Sequence, residues 1–305
     1  MRRLATILWA GVATALSGLP TLAAAPHDLE VANRVPKFAA FYAEAATVTD
    51  EAARWALWKK DYGIAAVPPT PEGDALARKL LNAAWPPYPA LMPSLPAKAA
   101  RAERTGQDLF RRINALFATR DVAIHTRLVL FVGEFDGNEY TVPPMGGRPT
   151  TVVMPVENPA LRVDLAHELS HSVNFQLAGV KTGFGAPLGE TVFLEGLAMR
   201  ASQAVAPGLP DSAYTELVTE PGWLAKCAAR KAAILRGIAP HLEESGPDVA
   251  TRFTFGQGTT GLDRELYCVG WFVTGDLLRQ GKTFPELARI PEDQMVATVR
   301  RAVSP

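Results

Sequence analysis

The sequence predicts an α+β chain dominated by helices, with one small sheet. Three observations carry this expectation. Apolar residues recur at helical spacing over most of the chain on both sides of its middle. Two segments, Arg127–Val132 and Thr150–Met154, are β-branched and aromatic enough to be strands. Twenty-five Pro and 24 Gly punctuate the periodic runs, so the helices should be interrupted.

Taken in order, residues 1–25 read as an export signal. Arg2 and Arg3 make a basic start, Leu4–Leu19 is a mostly apolar run, Pro20 breaks it, and Ala23–Ala25 is a small-residue tract. Cleavage is expected near Ala23–Ala25, in a periplasmic or secreted protein with no stable membrane insertion once the signal is removed. The mature chain, 26–305, is expected to be a single catalytic domain with a helical N-terminal part (26–120), a sheet with the chemistry-bearing helices (121–205) and a helical C-terminal part (206–305). In the first part, Thr49-Asp50-Glu51 opens a capped helix, Asp74–Trp85 is a second, Pro86–Pro96 is a rigid extended connection, and Ala97–Phe117 is a longer helix. The stretch 133–147 holds turn signals, including Asp136-Gly137 and Gly146-Gly147. Helices then follow at Leu161–Leu177, Glu190–Ala204, Asp211–Gly237 (broken at Pro221-Gly222) and Glu265–Leu278.

Composition excludes several classes. Lys+Arg and Asp+Glu are 31 each, so no net charge draws nucleic acid or anionic lipid. Two cysteines exclude a Cys-rich metal cluster. In an oxidising compartment Cys227 and Cys268 are expected to pair, and closing that loop would stabilise by roughly 4 kcal/mol in the chain-entropy view.

Chemistry concentrates at His167-Glu168-Leu169-Ser170-His171. Helical residues four apart lie about 40° apart, so both imidazoles share a face and can hold one metal ion, while Glu168 sits about 100° round, at the edge of that face. Leu165, Leu169, Val173 and Leu177 form an apolar stripe for the core. Such a zinc site takes a third protein ligand and keeps one open position for water. Glu190 and Glu195 are both near in sequence. They are five residues apart, a turn of about 140° if they share a helix, so they cannot both face one ion.

The segment Phe193-Leu194-Glu195-Gly196-Leu197-Ala198 resembles the Glu-Gly-x-Ala segment of gluzincin metallopeptidases. More widely, residues 150–177, 193–198 and Tyr267-Cys-Val-Gly270 resemble predicted zinc-dependent proteases classified as a domain of unknown function. The resemblance implies a zincin-like metallopeptidase fold, one Zn2+ per chain, and His167, His171 and Glu195 as its ligands. It also implies that the small residues after Glu195 let that helix approach the first. Glu190 then becomes an acid near a helix N-terminus. Thermolysin-like enzymes carry a further acid four residues after the third ligand; here Met199 stands there, and Asp164 or a backbone carbonyl is left to orient a histidine.

The implied activity is hydrolysis of a peptide or protein substrate, with Glu168 as general base. Tyr267, at the start of a late helix, is the candidate oxyanion donor, with His241 as runner-up. Thr150–Met154 is expected to be the sheet edge along which an extended peptide lies. The alternatives are a non-catalytic exported protein of this fold that binds a peptide or protein partner, and a hydrolase of non-peptide amides or esters. Gly256-Gln-Gly-Thr-Thr-Gly261 spells a dinucleotide fingerprint without a surrounding βαβ unit, and is expected to be a flexible loop.

Overall fold

The computed structural model describes residues 25–65, 67, 70–183, 185–215 and 221–303. The expected export signal lies, but for Ala25, outside the described residues. No helix among the described residues is long and apolar enough to cross a membrane.

The architecture is helix-rich α+β with one four-stranded sheet. The strands are β1 (His27–Asn33), β2 (Ile124–Phe131), β3 (Tyr140–Val142) and β4 (Thr150–Pro155), in the order β1-β2-β4-β3. β1, β2 and β4 are parallel and β3 is antiparallel to β4. The N-terminal stretch is therefore not wholly helical, as its pattern suggested. β1 is a short edge strand in which only Leu29 is buried, so it lacks the alternation that marks a strand by sequence. Parallel neighbours need a long crossover. Here helices α1 (Val35–Ala45), α2 (Glu51–Asp61), α3 (Pro71–Ala84), α4 (Tyr88–Leu91) and α5 (Leu95–Leu116) form it between β1 and β2.

Local chemistry explains these helices. Asp50 caps α2 by accepting from the Ala53 N–H, and Thr70 caps α3, with Pro71 at its first position. The proline-rich stretch 86–96 is not extended. Pro89 and Pro96 each lie in the first two positions of a helix, where a missing N–H leaves no bond unmade. Phe38, Tyr62 and Tyr88 pack edge to face, and their cluster is anchored to the end of β2 by hydroxyls. Tyr62 donates to the Val132 carbonyl at 2.8 Å and Tyr88 to that of Gly133 at 2.9 Å.

The remaining helices are α6 (Leu161–Ala178), α7 (Leu188–Val205), α8 (Trp223–Ile238), α9 (Pro247–Ala250), α10 (Glu265–Arg279), α11 (Phe284–Ala288) and α12 (Glu292–Val303). α6 was expected to have an apolar back and a polar front. Instead it is buried nearly all round, with Ser170, Ser172 and Asn174 each at most 1% exposed. It lies between the sheet and helices α5 and α7. Its hydroxyls and amide close bonds inside the core: Ser170 to the Ala166 carbonyl, Ser172 to Thr126, Asn174 to the Ala288 carbonyl.

α7 and α10 meet through two glycines. A methyl group on Gly196 would stand 2.3 Å from the Gly270 carbonyl oxygen, and one on Gly270 would stand 2.9 Å from the Gly196 nitrogen. The small residue after Glu195 thus admits α10 and not, as the resemblance implied, the histidine helix. Arg200 of α7 closes the same seam by donating twice to the Trp271 carbonyl. Cys227 of α8 and Cys268 of α10 are disulfide-bonded, the pairing expected of the two cysteines.

A second buried polar group lies beyond β2. Burial, with Asp136 and Glu157 nearby, pushes the Glu134 carboxyl up to about 9. Burial also pushes Glu157 up, to about 7, although backbone N–H groups including that of Gly133 partly offset it. Carboxyls raised in the folded state contribute stability that is fully present below their unfolded pKa and is lost as pH rises through the folded value.

The urea midpoint should therefore fall between about pH 4.5 and pH 9, and Glu134→Gln should flatten the upper part of that fall, above about pH 7. Gly196→Ala should destabilise by about 1–3 kcal/mol, because a backbone carbonyl cannot move aside as a side chain can. Urea titration at fixed pH measures both.

Candidate metal centre

α6 and α7 bring together three of the residues singled out from sequence. His167 Nε2 lies 3.0 Å from a Glu195 carboxylate oxygen, and His171 Nε2 lies 3.0 Å from His167 Nε2 and 3.6 Å from the other Glu195 oxygen. The four-residue spacing on one helix sets the two imidazoles side by side, their ring centres 4.7 Å apart. Glu195 reaches them from the second turn of α7 because α6 and α7 pack against each other.

Two ring nitrogens 3.0 Å apart cannot both present lone pairs without a shared proton or cation. Four-coordinate zinc with bonds of about 2.0–2.1 Å would separate its ligand atoms by about 3.3–3.4 Å, inside the range observed here. Both Nδ1 atoms are buried without a hydrogen-bond partner. They point away from the cluster and are free to carry the proton of a neutral ligating imidazole. The three side chains fit one metal ion, and they alone among the described residues form a group of three or more such ligands.

The triad is strongly polarised without a metal. Burial pulls the His167 imidazolium down, but the Glu195 hydrogen bond and the Glu195, Glu168 and Asp164 carboxylates outweigh it and hold it at about 9. Burial pushes Glu195 up, yet His171 and His167 more than reverse this and leave its carboxyl well below the usual range.

Glu168 is held apart from this group. The Thr141 hydroxyl lies 2.6 Å from a Glu168 carboxylate oxygen and 2.9 Å from the Glu168 carbonyl, so it can donate to either. Thr141 belongs to β3, which was missed because 133–147 carries turn residues and β3 has only three residues, none fully buried. The edge of the sheet beside the site is thus β3. Thr150–Met154, expected at that edge, is paired on both sides, with β2 and β3.

Two further carboxyls flank the site. Asn158 donates its amide to Glu139 at 2.9 Å and to Asp164 at 2.7 Å, while its own oxygen accepts from the Ala160 N–H at the start of α6. Burial raises both carboxyls above the ordinary range. Asp164 does not bond to either histidine: one oxygen is held by Asn158 and the other has no partner. Met199 is in a small apolar cluster with Val163, Tyr214 and Trp271.

Tyr267 stands in the first turn of α10. Burial raises its hydroxyl well above the usual range, and Glu195, Glu168 and Glu139 add to the rise, which places the hydroxyl in the field of the site. His241 is bonded to Glu244 at 2.8 Å and packs on Phe253, with no contact to the triad. Glu190 is buried against Glu292 of α12, not against the histidines, and that pairing follows burial as the second cause of its rise to about 7. The segment before Tyr267 is fastened, not loose. The buried Glu265 carboxylate accepts from the N–H groups and hydroxyls of Thr259 and Thr260, and a side chain on Gly258 would collide with it.

Comparison of the chain with protein-family models, with characterised proteins and with solved structures finds no match.

His171→Ala and Glu195→Ala should each weaken divalent-metal affinity by at least about tenfold, while Glu190→Ala should leave it unchanged. Elemental analysis after dialysis against a graded chelator reads this directly.

Proposed function

We propose that the protein is an exported zinc-dependent peptidase, with Glu168 as its general base. The observation that carries the reading is the division of labour around α6. His167, His171 and Glu195 converge on one point, while the neighbouring carboxylate, Glu168, is drawn away from them by Thr141. A site that only stored metal would have no use for a carboxylate held off the ligand set. The motif, the Glu-Gly-x-Ala segment and the late Tyr-x-x-Gly helix support the gluzincin resemblance. The basic start, the apolar run and the Cys227–Cys268 bond support export.

Bound zinc would supply a Lewis acid that polarises the scissile carbonyl and lowers the pKa of water toward about 7. His167 Nε2, His171 Nε2 and the Glu195 carboxylate would hold it. Glu168 accepts the proton of the attacking water and later gives it to the leaving amine, so one carboxyl serves as base and then as acid. The Thr141 hydroxyl fixes that carboxylate's orientation through both of the steps. Tyr267 donates its hydroxyl to the oxyanion of the tetrahedral intermediate; its raised pKa keeps it protonated for this. β3, three residues long and unpaired on its outer side among the described strands, offers backbone groups to an extended peptide.

Glu168→Gln should keep fold and metal but lower hydrolysis of a mixed peptide library by about a hundredfold or more. Tyr267→Phe should lower kcat by roughly ten- to a thousandfold with little change in KM. Equal cleavage by wild type and Glu168→Gln would sink the mechanism. Metal binding without hydrolysis of any peptide would favour a binding protein, and cleavage of simple esters or amides alone would favour a non-peptide hydrolase.

A further inference from the structure

We propose that Arg264 binds a carboxylate of the substrate, so that the peptides taken by this site carry a negative group on the side formed by α10. The inference rests on the peptidase reading and narrows its substrate class.

Arg264 has φ 59° and ψ 39°, the left-handed region that a side chain with a Cβ disfavours. Such a conformation persists where its surroundings over-determine it. Here the Arg264 N–H donates to the Gly256 carbonyl at 2.9 Å, and the Trp223 indole donates to the Asp263 carbonyl at 2.8 Å. On the other side, Glu265 fastens Thr259 and Thr260. The backbone on both flanks is thus fixed, and Arg264 is left to project over the Tyr267 ring, 4.4 Å from its centre.

Its guanidinium differs from those that have an acceptor of their own. Arg111 and Arg112 pair with Asp108, Arg289 with Asp121, Arg300 with Glu243, and Arg200 donates to the Trp271 carbonyl. Arg264 has a ring beneath it and, among the described residues, no carboxylate or carbonyl accepting from its side chain. A guanidinium stacked by its face still presents its planar fork of N–H donors, which matches a carboxylate in two parallel hydrogen bonds.

Charge makes this side the place for an anion. The Glu168 carboxylate, held beside β3 by Thr141, would repel a substrate carboxylate on that side. Arg264 is the cation stacked on the Tyr267 ring. The carboxylate has two sources with the same chemistry, a free C-terminus and an acidic side chain.

The test uses the zinc-loaded protein and three N-acetylated pentapeptides of alanine and phenylalanine. One ends in a free acid, one in an amide, and one in an amide with glutamate as its last residue. Calorimetry and hydrolysis rates are measured for wild type, Arg264→Gly and Arg264→Asn. Glycine and asparagine suit the left-handed backbone, so folding should survive and the melting temperature of Arg264→Gly should not fall. Wild type should bind the acid roughly ten- to a hundredfold tighter than the amide, and both variants should lose that preference. A glutamate amide that matches the acid identifies the source as a side chain; one that matches the plain amide identifies it as the C-terminus. No preference in wild type overturns the proposal. So does a preference that survives in both variants, since it then belongs to the metal, and so does a large loss of melting temperature in Arg264→Gly with the preference kept. If wild type binds the acid preferentially but cleaves none of the peptides, the peptidase reading fails and the carboxylate site stands.

Discussion

A carboxylate set against two imidazoles between two buried helices is the interaction on which the rest of this structure depends. Burying ionisable groups is unfavourable unless each finds a partner. Glu195 lies against His171 and His167, with side chains 18%, 6% and 9% exposed. The arrangement therefore needs α6 and α7 at a fixed separation and rotation. α6 is walled by the sheet on one side and by α5 and α7 on the other, and on its back Ser172 bonds to Thr126 and the Asn174 amide donates to the Ala288 carbonyl. Little freedom remains for the two imidazoles.

The position of α7 depends in turn on α10. Gly196 immediately follows the candidate ligand, and its contact with Gly270 lets two backbones approach where any side chain would part them. The same contact packs α10, whose first turn carries Tyr267, against α7. The disulfide to α8 and the Arg200 bonds to the Trp271 carbonyl hold this seam from behind. One close helix crossing thus serves both the ligand set and the proposed oxyanion donor. Substitution there would act on both together.

The opposite wall is made by short polar pieces and not by packed helices. β3 contributes Thr141, and Asn158 joins Glu139, Asp164 and the start of α6 through one amide group. The site therefore has two buried helices beneath it and a hydrogen-bonded acidic wall.

By itself the sequence determined what short-range geometry can express. The His167–His171 spacing put two imidazoles on one helix face, and Glu168 at its edge, wherever that helix lies. The arithmetic of 140° separated Glu190 from Glu195, and the cap at Asp50 is a local hydrogen bond. Strands β2 and β4, both well buried, were visible as apolar runs. What tertiary structure alone decided is everything that joins distant segments. β1 and β3 have too few buried residues to show a period, and only pairing makes them strands. Prolines in 86–96 read as extended chain because helix starts and extended segments share the same φ; the aromatic cluster beneath Tyr88 selects the helix. The partner of Gly196, the bond from Thr141 to Glu168 and the stack of Arg264 on Tyr267 depend on residues brought together across the chain, and no spacing rule within a segment encodes such a meeting.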